Sequence, residues 1–361
     1  MRDATLDELC AVLFATLRRA DQRGRGAEYL RGLLAAPGRK SIRNIAAATG
    51  GAEQGLHHFV CDSTWDWAPV RRALAEFVVA RAEPRAWVLR PMVIPKAGTR
   101  SVGVGRRFDP VLGQTLNAQQ AVGVWAAAEW TSSPVSWRLR LSPAWLADER
   151  RRVNAAIPAG AAPETIGDCA VEAFREVAGV ADRPVVLDAR EMDAPAVIRG
   201  LAGQPLLVRV PDTLRLSAAG PVLPGHDAVP AGWLMGAVRD LRRPVTWTDG
   251  DGVPRTALAA VAPVVLAEVG PLRLVGIADI GAAWPAQLWL TTMSGASPAT
   301  LSRLARLTER VDRDLAEIAE QVGIRDFSGR SFVGWHRHVT LASAAHAVIA
   351  VSGRYRTRLA S

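Results

Sequence analysis

The sequence of 361 residues has little cysteine, almost no lysine and no long apolar run. Its three cysteines are too few for a disulfide framework, and no C-x-x-C pair suggests a zinc site. No apolar run approaches the ~18 residues that a membrane span needs. Three acidic residues close to the first apolar run (Asp3, Asp7 and Glu8) are unlike a signal peptide. These absences predict a soluble, cytoplasmic protein without structural disulfides.

Lysine contributes only two of the 44 basic residues, so the net charge of +9 depends on arginine. Arginine carries a fixed charge and a planar fork that suits phosphate groups. The arginines are spread over the whole chain, however, and a biased base composition of the gene explains this general abundance equally well. Between Leu17 and Arg43, eight basic and two acidic residues give a local charge of +6. This segment is suited to contact with nucleic acid.

An apolar fraction of 49% is large enough for a sizeable core, and the length suits two or three domains. Residues 1–84 carry apolar residues at helical spacing, with Ser41 as a candidate N-cap. Short apolar runs between Gly and Pro then predict strands, among them Ser101–Val104 and one that ends at Asp188. A long amphipathic helix follows the candidate cap Ser297. We therefore predict a mixed α/β protein that begins with an all-helical domain.

The segment Ile42–Val60 fits a helix-turn-helix motif. Such a motif needs a small residue where two helices cross, a turn residue four positions later, and apolar residues that lock the second helix. Ala46, Gly50, Leu56 and Phe59 stand at those relative positions. A plain pair of packed helices has the same spacing and remains an alternative.

The second helix of this motif would present polar side chains to DNA. Gln54, His57 and His58 would then read base edges in the major groove. The basic residues just upstream would hold phosphate groups; they are Arg39, Lys40 and Arg43. A metal site at the two adjacent histidines is disfavoured, because neighbouring helix residues diverge by about 100° and no third ligand is near.

The sequence resembles insertion-sequence transposases with a DDE catalytic core. The stretches that carry the resemblance occur in the family's order; they are Arg19–Arg23, Gly38–Ala46, Leu56–Phe59, Ile94–Gly98, Ser101–Val104, Asn117–Gln119, Trp137–Leu139, Val186–Ala189 and Gly329–His338. The resemblance implies an N-terminal DNA-binding domain at 1–84 and an RNase H-like core at 85–361. It also implies a β-rich insertion at 200–295 that contacts DNA. In such a core, three acids hold two Mg²⁺ ions that activate first water and then a 3′-hydroxyl for attack on DNA phosphates.

The resemblance places only two of the three expected acids on acidic residues of this sequence. The second matches Asp188, for which capping of the next helix is the alternative role. The third belongs on the long helix, where the best alignment reaches Asp312 and Glu309 lies one turn away; both are also explained as solvated helix charges. The first is expected at Arg90 or Pro91, and neither side chain can ligate a metal ion.

One of the three acids is matched, one is an aspartate in place of the longer glutamate, and one is absent. We therefore predict a transposase-family protein with an impaired nuclease centre. It would bind double-stranded DNA at insertion-sequence ends or at a derived site, as a homo-oligomer if two DNA ends are paired. Asp188 and Asp312 are the predicted catalytic and metal-binding residues, and Mg²⁺ is expected only if the centre functions. The alternative is an active Mg²⁺-dependent transposase that uses Asp188, Asp312 and an acid not placed by the resemblance, such as Asp109 or Glu129. An inert relic is a third reading.

Overall fold

The computed structural model describes residues 2–109, 113–219, 227–250 and 252–359, with side chains for all of these except Asp109 and residues 354–359. The α-helices of this part are α1 (Arg2–Phe14), α2 (Ala20–Ala35), α3 (Ile42–Thr49), α4 (Glu53–Cys61), α5 (Trp67–Ala82), α6 (Pro143–Ala147), α7 (Glu149–Asn154), α8 (Ile166–Arg175), α9 (Ala194–Gly200), α10 (Ala231–Ala237), α11 (Pro298–Asp314) and α12 (Phe332–Leu359). A 3-10 turn at Arg239–Leu241 and a π-helical turn at Leu315–Ala319 accompany them.

The described strands are β1 (Ala86–Pro95), β2 (Gly105–Asp109), β3 (Gln114–Ala127), β4 (Ser132–Leu139), β5 (Val185–Asp188), β6 (Leu206–Arg209), β7 (Arg215–Ala218), β8 (Val229–Pro230), β9 (Arg243–Thr248), β10 (Pro254–Leu266), β11 (Gly270–Asp279) and β12 (Gln287–Thr291). Helices at the start of the chain and a mixed sheet after them agree with the predicted class. Within the described part of the chain, none of the helices combines the length and apolarity needed to cross a bilayer.

The N-terminal helices begin and end where local chemistry predicts. The Ser41 hydroxyl accepts a hydrogen bond from the backbone N–H of Asn44 (3.2 Å) and caps α3. Gly50, with a φ of +70°, ends α3, because glycine has no Cβ to clash in the left-handed conformation. Two buried side chains, Ile45 and Leu56, help to lock α3 against α4. Helices α3 and α4 are therefore adjacent and packed together, while their identity as a helix-turn-helix motif stays a prediction.

Strand β1 is central to the mixed sheet. It pairs antiparallel with β3 and parallel with β5, and β5 continues parallel to β6. Strand β12 pairs antiparallel with β6 and leads on to β11 and β10. The strands within 200–295 thus extend the same sheet, and the status of this β-rich segment as an insertion stays a prediction.

One predicted strand is wrong. Residues Ser101–Val104 form a turn, in which the backbone N–H of Val104 donates to the Ser101 carbonyl (3.2 Å). Gly103 has a φ of +73°, which is a turn conformation that an extended strand does not contain. Strand β1, in contrast, runs through Pro91, which faces Val122 of β3.

Helix α12 joins the N-terminal helices to the sheet. It packs against α2 and α5 on one side and against β4 on the other. The buried apolar residues of both regions form one continuous cluster. Six tryptophans are among the buried residues; they are Trp65, Trp87, Trp125, Trp137, Trp289 and Trp335. The helices end near the predicted boundary at residue 84, while the independence of the two domains stays a prediction.

Arg71 of α5 is the buried polar link of this shared core, with only 1% of its surface exposed. Its guanidinium donates to the Thr340 hydroxyl (2.8 Å), the Trp137 carbonyl (2.8 Å) and the Glu176 carboxylate (3.0 Å). It also lies 2.9 Å from Nδ1 of His336. Burial and the Arg71 charge hold the pKa of His336 well below its usual value, so the imidazole is neutral and accepts this hydrogen bond.

Replacement of Arg71 should therefore destabilise the whole fold. We expect Arg71→Ala to lower the free energy of unfolding by about 3–5 kcal/mol, because it leaves buried polar partners and a charge uncompensated. Urea denaturation followed by circular dichroism measures this change. The control is Arg72→Ala, which removes an exposed pair with Glu76 and should cost about 0.5 kcal/mol or less. Equal effects of the two substitutions would contradict the assigned role.

Candidate functional site

Parallel pairing of β1 and β5 brings the predicted site residues together. Leu89 of β1 faces Leu187 of β5, so that Arg90 and Asp188 are level at the same edge of the sheet. Helix α11 packs against both strands and carries Asp312 toward Arg90. The resemblance expects the first acid at Arg90 or Pro91. In the structure, Arg90 is level with Asp188 and in contact with Asp312.

Asp188 is held by two arginines. Arg190 Nη2 lies 2.7 Å from Asp188 Oδ2, and its Nε lies 3.0 Å from Oδ1. Arg209, which faces Asp188 from β6, lies 3.6 Å from Oδ2. Burial opposes ionisation of Asp188, but the hydrogen bonds and charges of these two arginines hold the pKa of the carboxyl below its usual value. The carboxylate is therefore ionised and already neutralised by protein cations.

Asp312 is held by Arg90. The Nε of Arg90 lies 2.5 Å from Asp312 Oδ1, and its Nη1 donates to the Pro91 carbonyl (2.6 Å). Glu309, one turn earlier on α11, accepts from Arg306 (2.9 Å). Each carboxylate of this edge thus has a guanidinium partner. Because arginine does not lose its charge at accessible pH, these ion pairs persist whenever the carboxylates are ionised.

The candidate DNA-reading helix presents the predicted side chains. Gln54, His57 and His58 of α4 are exposed, as are Arg39 and Arg43 just upstream. Nδ1 of His57 lies 3.5 Å from Asp62, so this histidine has an acidic neighbour at the end of α4. The structure thus leaves one face of α4 open, whereas its use in reading DNA stays a prediction.

The prediction that Lys40 contacts phosphate groups disagrees with its position. Only 6% of Lys40 is exposed, and its ammonium donates to the Ala36 carbonyl. Its backbone N–H donates to the Asp326 carboxylate (2.7 Å), and its stem packs over Gly323. Burial lowers the pKa of Lys40. This lysine fastens the α2–α3 loop to the loop before α12, so Arg39 and Arg43 are the accessible cations here.

A cleft of about 730 Å³ opens between α11 and the β9–β10 hairpin. Arginines of α11 line it at helical spacing; they are Arg303, Arg306, Arg310 and Arg313. Arg303 pairs with Glu129 (Nε 3.0 Å from Oε1), and Arg310 pairs with Asp314 (2.7 Å). Carboxylates thus offset much of the positive charge in this cleft.

Of the two replacement acids that the sequence suggests, Glu129 is the one that the structure places. Glu129 follows β3 after Ala127, which faces Ala86 at the start of β1. Arg90, which is level with Asp188, follows Ala86 by four residues along β1. Glu129 therefore lies at least roughly 13 Å from the level of Asp188, measured along the strand. The side chain of Asp109 lies outside the described part of the chain.

A family model described as DDE superfamily endonuclease matches residues 12–262, more than two-thirds of the chain. The chain belongs to the DDE superfamily endonucleases. No curated protein matches it. The mixed α/β fold is consistent with a DDE nuclease, and membership implies a DNA substrate. DDE nucleases typically use divalent metal ions such as Mg²⁺, so the residues at this edge must be tested against that requirement.

The residues of this DDE protein do not fit a pair of Mg²⁺ ions. Such ions require several carboxylate oxygens that are free to bind. Here Arg90 stands at one of the two places predicted for the first acid, and the carboxylates of Asp188 and Asp312 accept hydrogen bonds from guanidinium groups. Among the described residues, no group of three His, Cys, Asp or Glu side chains is arranged to hold a metal ion.

Sequence reasoning missed Arg190 and Arg209. Arg190 follows Asp188 by only two residues, so its position just after the strand end could have indicated its contact with Asp188. Arg209 ends β6, which neighbours β5 in the sheet, and only the strand order reveals that relation. Burial and the charge of Arg190 lower the pKa of Arg209, whereas the nearby carboxylates of Asp188 and Glu309 raise it. Arg209 is therefore also near Glu309 of α11.

The pairing of Asp188 predicts a pH-dependent contribution to stability. We expect Asp188→Asn to lower the free energy of unfolding at pH 7 by roughly 1–3 kcal/mol, as for hydrogen bonds to charged groups. Since the pKa of Asp188 in the folded state is below 3.8, this difference should persist above pH 3.8 and shrink as the pH falls through the lowered pKa.

Urea denaturation at a series of pH values measures this difference. The control is Asp193→Asn, because an amide oxygen caps α9 as well as the carboxylate does. A difference between Asp188→Asn and the parent that grows on acidification would contradict the ion-paired state of Asp188.

Proposed function

We propose that this DDE-family protein binds double-stranded DNA and has lost metal-dependent strand cleavage. The observation that carries the proposal is the set of ion pairs from Arg90, Arg190 and Arg209 to Asp312 and Asp188. These guanidinium groups supply the positive charge that metal ions would supply in an active centre. A metal ion entering here would have to displace them against charge repulsion.

DNA binding is supported by the exposed face of α4 and by the charge beside it. Gln54 has the amide geometry that pairs with adenine, and His57 and His58 lie on the same helix. Arg39 and Arg43 precede this helix and would contact backbone phosphates, which fixes the position of α4 on the duplex. The DNA site would be an insertion-sequence end or a sequence derived from one, bound by a homo-oligomer where two ends are brought together.

An active Mg²⁺-dependent transposase is the second candidate. It is favoured by the positions of Asp188, Glu309 and Asp312, since Arg209 is near Asp188 and Glu309 while Arg90 pairs with Asp312. Cleavage by this centre would require the guanidinium groups to leave, and would also require an acid in place of Arg90. The ion-paired arrangement therefore supports the first proposal better.

The salt dependence of DNA binding tests the first half of the proposal. We expect a fluorescent random-sequence duplex to bind with an affinity that falls as salt rises. Arg39→Ala combined with Arg43→Ala should lower the slope of log affinity against log salt by about 1.8, or 0.9 for each lost phosphate contact. Fluorescence anisotropy measures both quantities.

A charge-matched control combines Arg72→Ala with Arg175→Ala, two exposed arginines of α5 and α8. This control should leave the slope close to that of the parent protein. Failure of the parent to bind any duplex at low salt, or equal slopes for both double variants, would refute DNA binding through the α3–α4 region.

Cleavage of supercoiled plasmid tests the second half. We expect no Mg²⁺- or Mn²⁺-dependent nicking by the parent protein, because no described group of side chains offers enough free carboxylates. Agarose electrophoresis separates nicked from supercoiled plasmid. Nicking that Asp188→Asn abolishes and Asp193→Asn leaves intact would establish the active transposase instead.

A further inference from the structure

A second groove, separate from the Asp188 edge, is lined by arginines from three segments of the chain. We call it the arginine groove, and its volume is about 570 Å³. The loop after β1 contributes to it, as do α6, α7 and the loop before α12. Its polar and aromatic lining consists of Thr99, Arg100, Trp145, Arg151, Asn154 and Arg330.

The arginine groove carries uncompensated positive charge. No carboxylate is among its described lining residues, in contrast to the cleft beside α11. Arg151 lies 3.3 Å from Asp148, but neither Arg100 nor Arg330 forms an ion pair or a side-chain hydrogen bond with any described residue. Three guanidinium groups that face one groove repel each other, and an anion between them removes that repulsion.

The walls of the groove are fixed by contacts with the core. Lys96, at the end of β1, donates from Nζ to the carbonyls of Phe327 (2.7 Å) and Arg325 (3.2 Å). The backbone N–H of Phe332 donates to the Ala155 carbonyl (2.7 Å) and ties the loop before α12 to α7. These contacts fix the shape of the groove before a ligand binds, which lowers the entropic cost of binding.

An aromatic residue forms one wall of the groove. The indole of Trp145 is buried and donates to the Val104 carbonyl (2.7 Å). The Arg151 guanidinium lies over this indole, 5.2 Å from the ring centroid. This stacking holds the plane of Arg151, whose remaining N–H groups are suited to an oxyanion.

The arginine groove is joined to the segment that precedes the candidate DNA-reading helix. The loop before α12 contains Asp326, which accepts a hydrogen bond from the backbone N–H of Lys40 (2.7 Å), and Arg39 immediately precedes Lys40. The charge of Arg39 acts on Lys96: burial first and this charge second lower the pKa of Lys96 to about 8. Arg39 is therefore near the β1 end from which Thr99 and Arg100 follow.

We propose that the arginine groove binds phosphodiester groups of the same DNA that α4 contacts. Thr99, Asn154 and the three arginines supply only donors or neutral polar groups, as phosphate recognition requires. The proposal rests on the proposed DNA binding and assigns a further length of DNA backbone to this protein. It also gives a role to Lys96 and Arg330, which belong to two sequence stretches, Ile94–Gly98 and Gly329–His338, that the Asp188 edge does not use.

The test compares two double variants on one duplex. Arg100→Ala combined with Arg330→Ala should lower the slope of log affinity against log salt by about 1.8, like the Arg39 and Arg43 double variant. The matched control is Arg150→Ala, which removes an exposed charge from the same helix α7 outside the groove and should leave the slope near that of the parent. Thermal unfolding verifies that the exposed substitutions leave the fold intact.

Duplex length gives a second readout. Loss of Arg39 and Arg43 should weaken short and long duplexes alike, whereas loss of Arg100 and Arg330 should weaken only a duplex long enough to reach the groove. Parent-like binding of both duplexes by the groove variant, with the Arg39 and Arg43 variant impaired, would overturn the groove proposal and leave the proposed function standing. Absence of binding by the parent protein would overturn both.

Discussion

The parallel pairing of β1 with β5 is the constraint on which the rest of the site depends. It fixes Arg90 level with Asp188, at the edge where α11 crosses both strands. Once a guanidinium stands at this point, Asp312 has a fixed cation as its partner. Asp188 obtains its own partners from Arg190 and Arg209. The result is an edge whose carboxylates are neutralised by the protein's own guanidinium groups, in a family whose members typically use divalent metal ions.

A shared core connects this edge to the candidate DNA-binding surface. Helix α12 contacts the N-terminal helices and β4, and Arg71 links α5 to both α12 and the sheet. Lys40 and Lys96 then fasten exposed loops to the segment before α12. Through these contacts, α4 and the arginine groove are both connected to the shared core. A DNA duplex bound by both would meet a surface that needs little rearrangement.

Local chemistry made part of this structure predictable. The caps Ser41 and Ser297 and the turn glycine Gly50 stand where the sequence indicated. Strand β10 (Pro254–Leu266) was not predicted, because its many alanines have low strand propensity and the sheet alone stabilises it. The apolar run Ser101–Val104 predicted a strand, but its two valines are buried in a turn that Gly103 makes with a positive φ.

The sequence predicted a site residue only where that residue could be matched to the family pattern by itself. Asp188 ends a strand within a recognisable stretch, and Arg90 stands visibly where an acid is expected. The contact of Arg209 with Asp188 depends on the order of strands in the sheet. The burial of Lys40 depends on packing against Gly323, which is remote in sequence. These contacts join residues that are distant in sequence, so the local sequence does not indicate them. They decide which charged groups remain free to bind a ligand.

A crystal structure of the full chain grown with Mn²⁺ decides whether this edge holds metal ions, through the anomalous signal of the metal. We expect no Mn²⁺ peak at Asp188, with Arg90 paired to Asp312 and with Arg190 and Arg209 paired to Asp188. Two peaks about 3.5–4 Å apart that share the Asp188 carboxylate, with the arginines turned away, would contradict this expectation and establish a working two-metal centre.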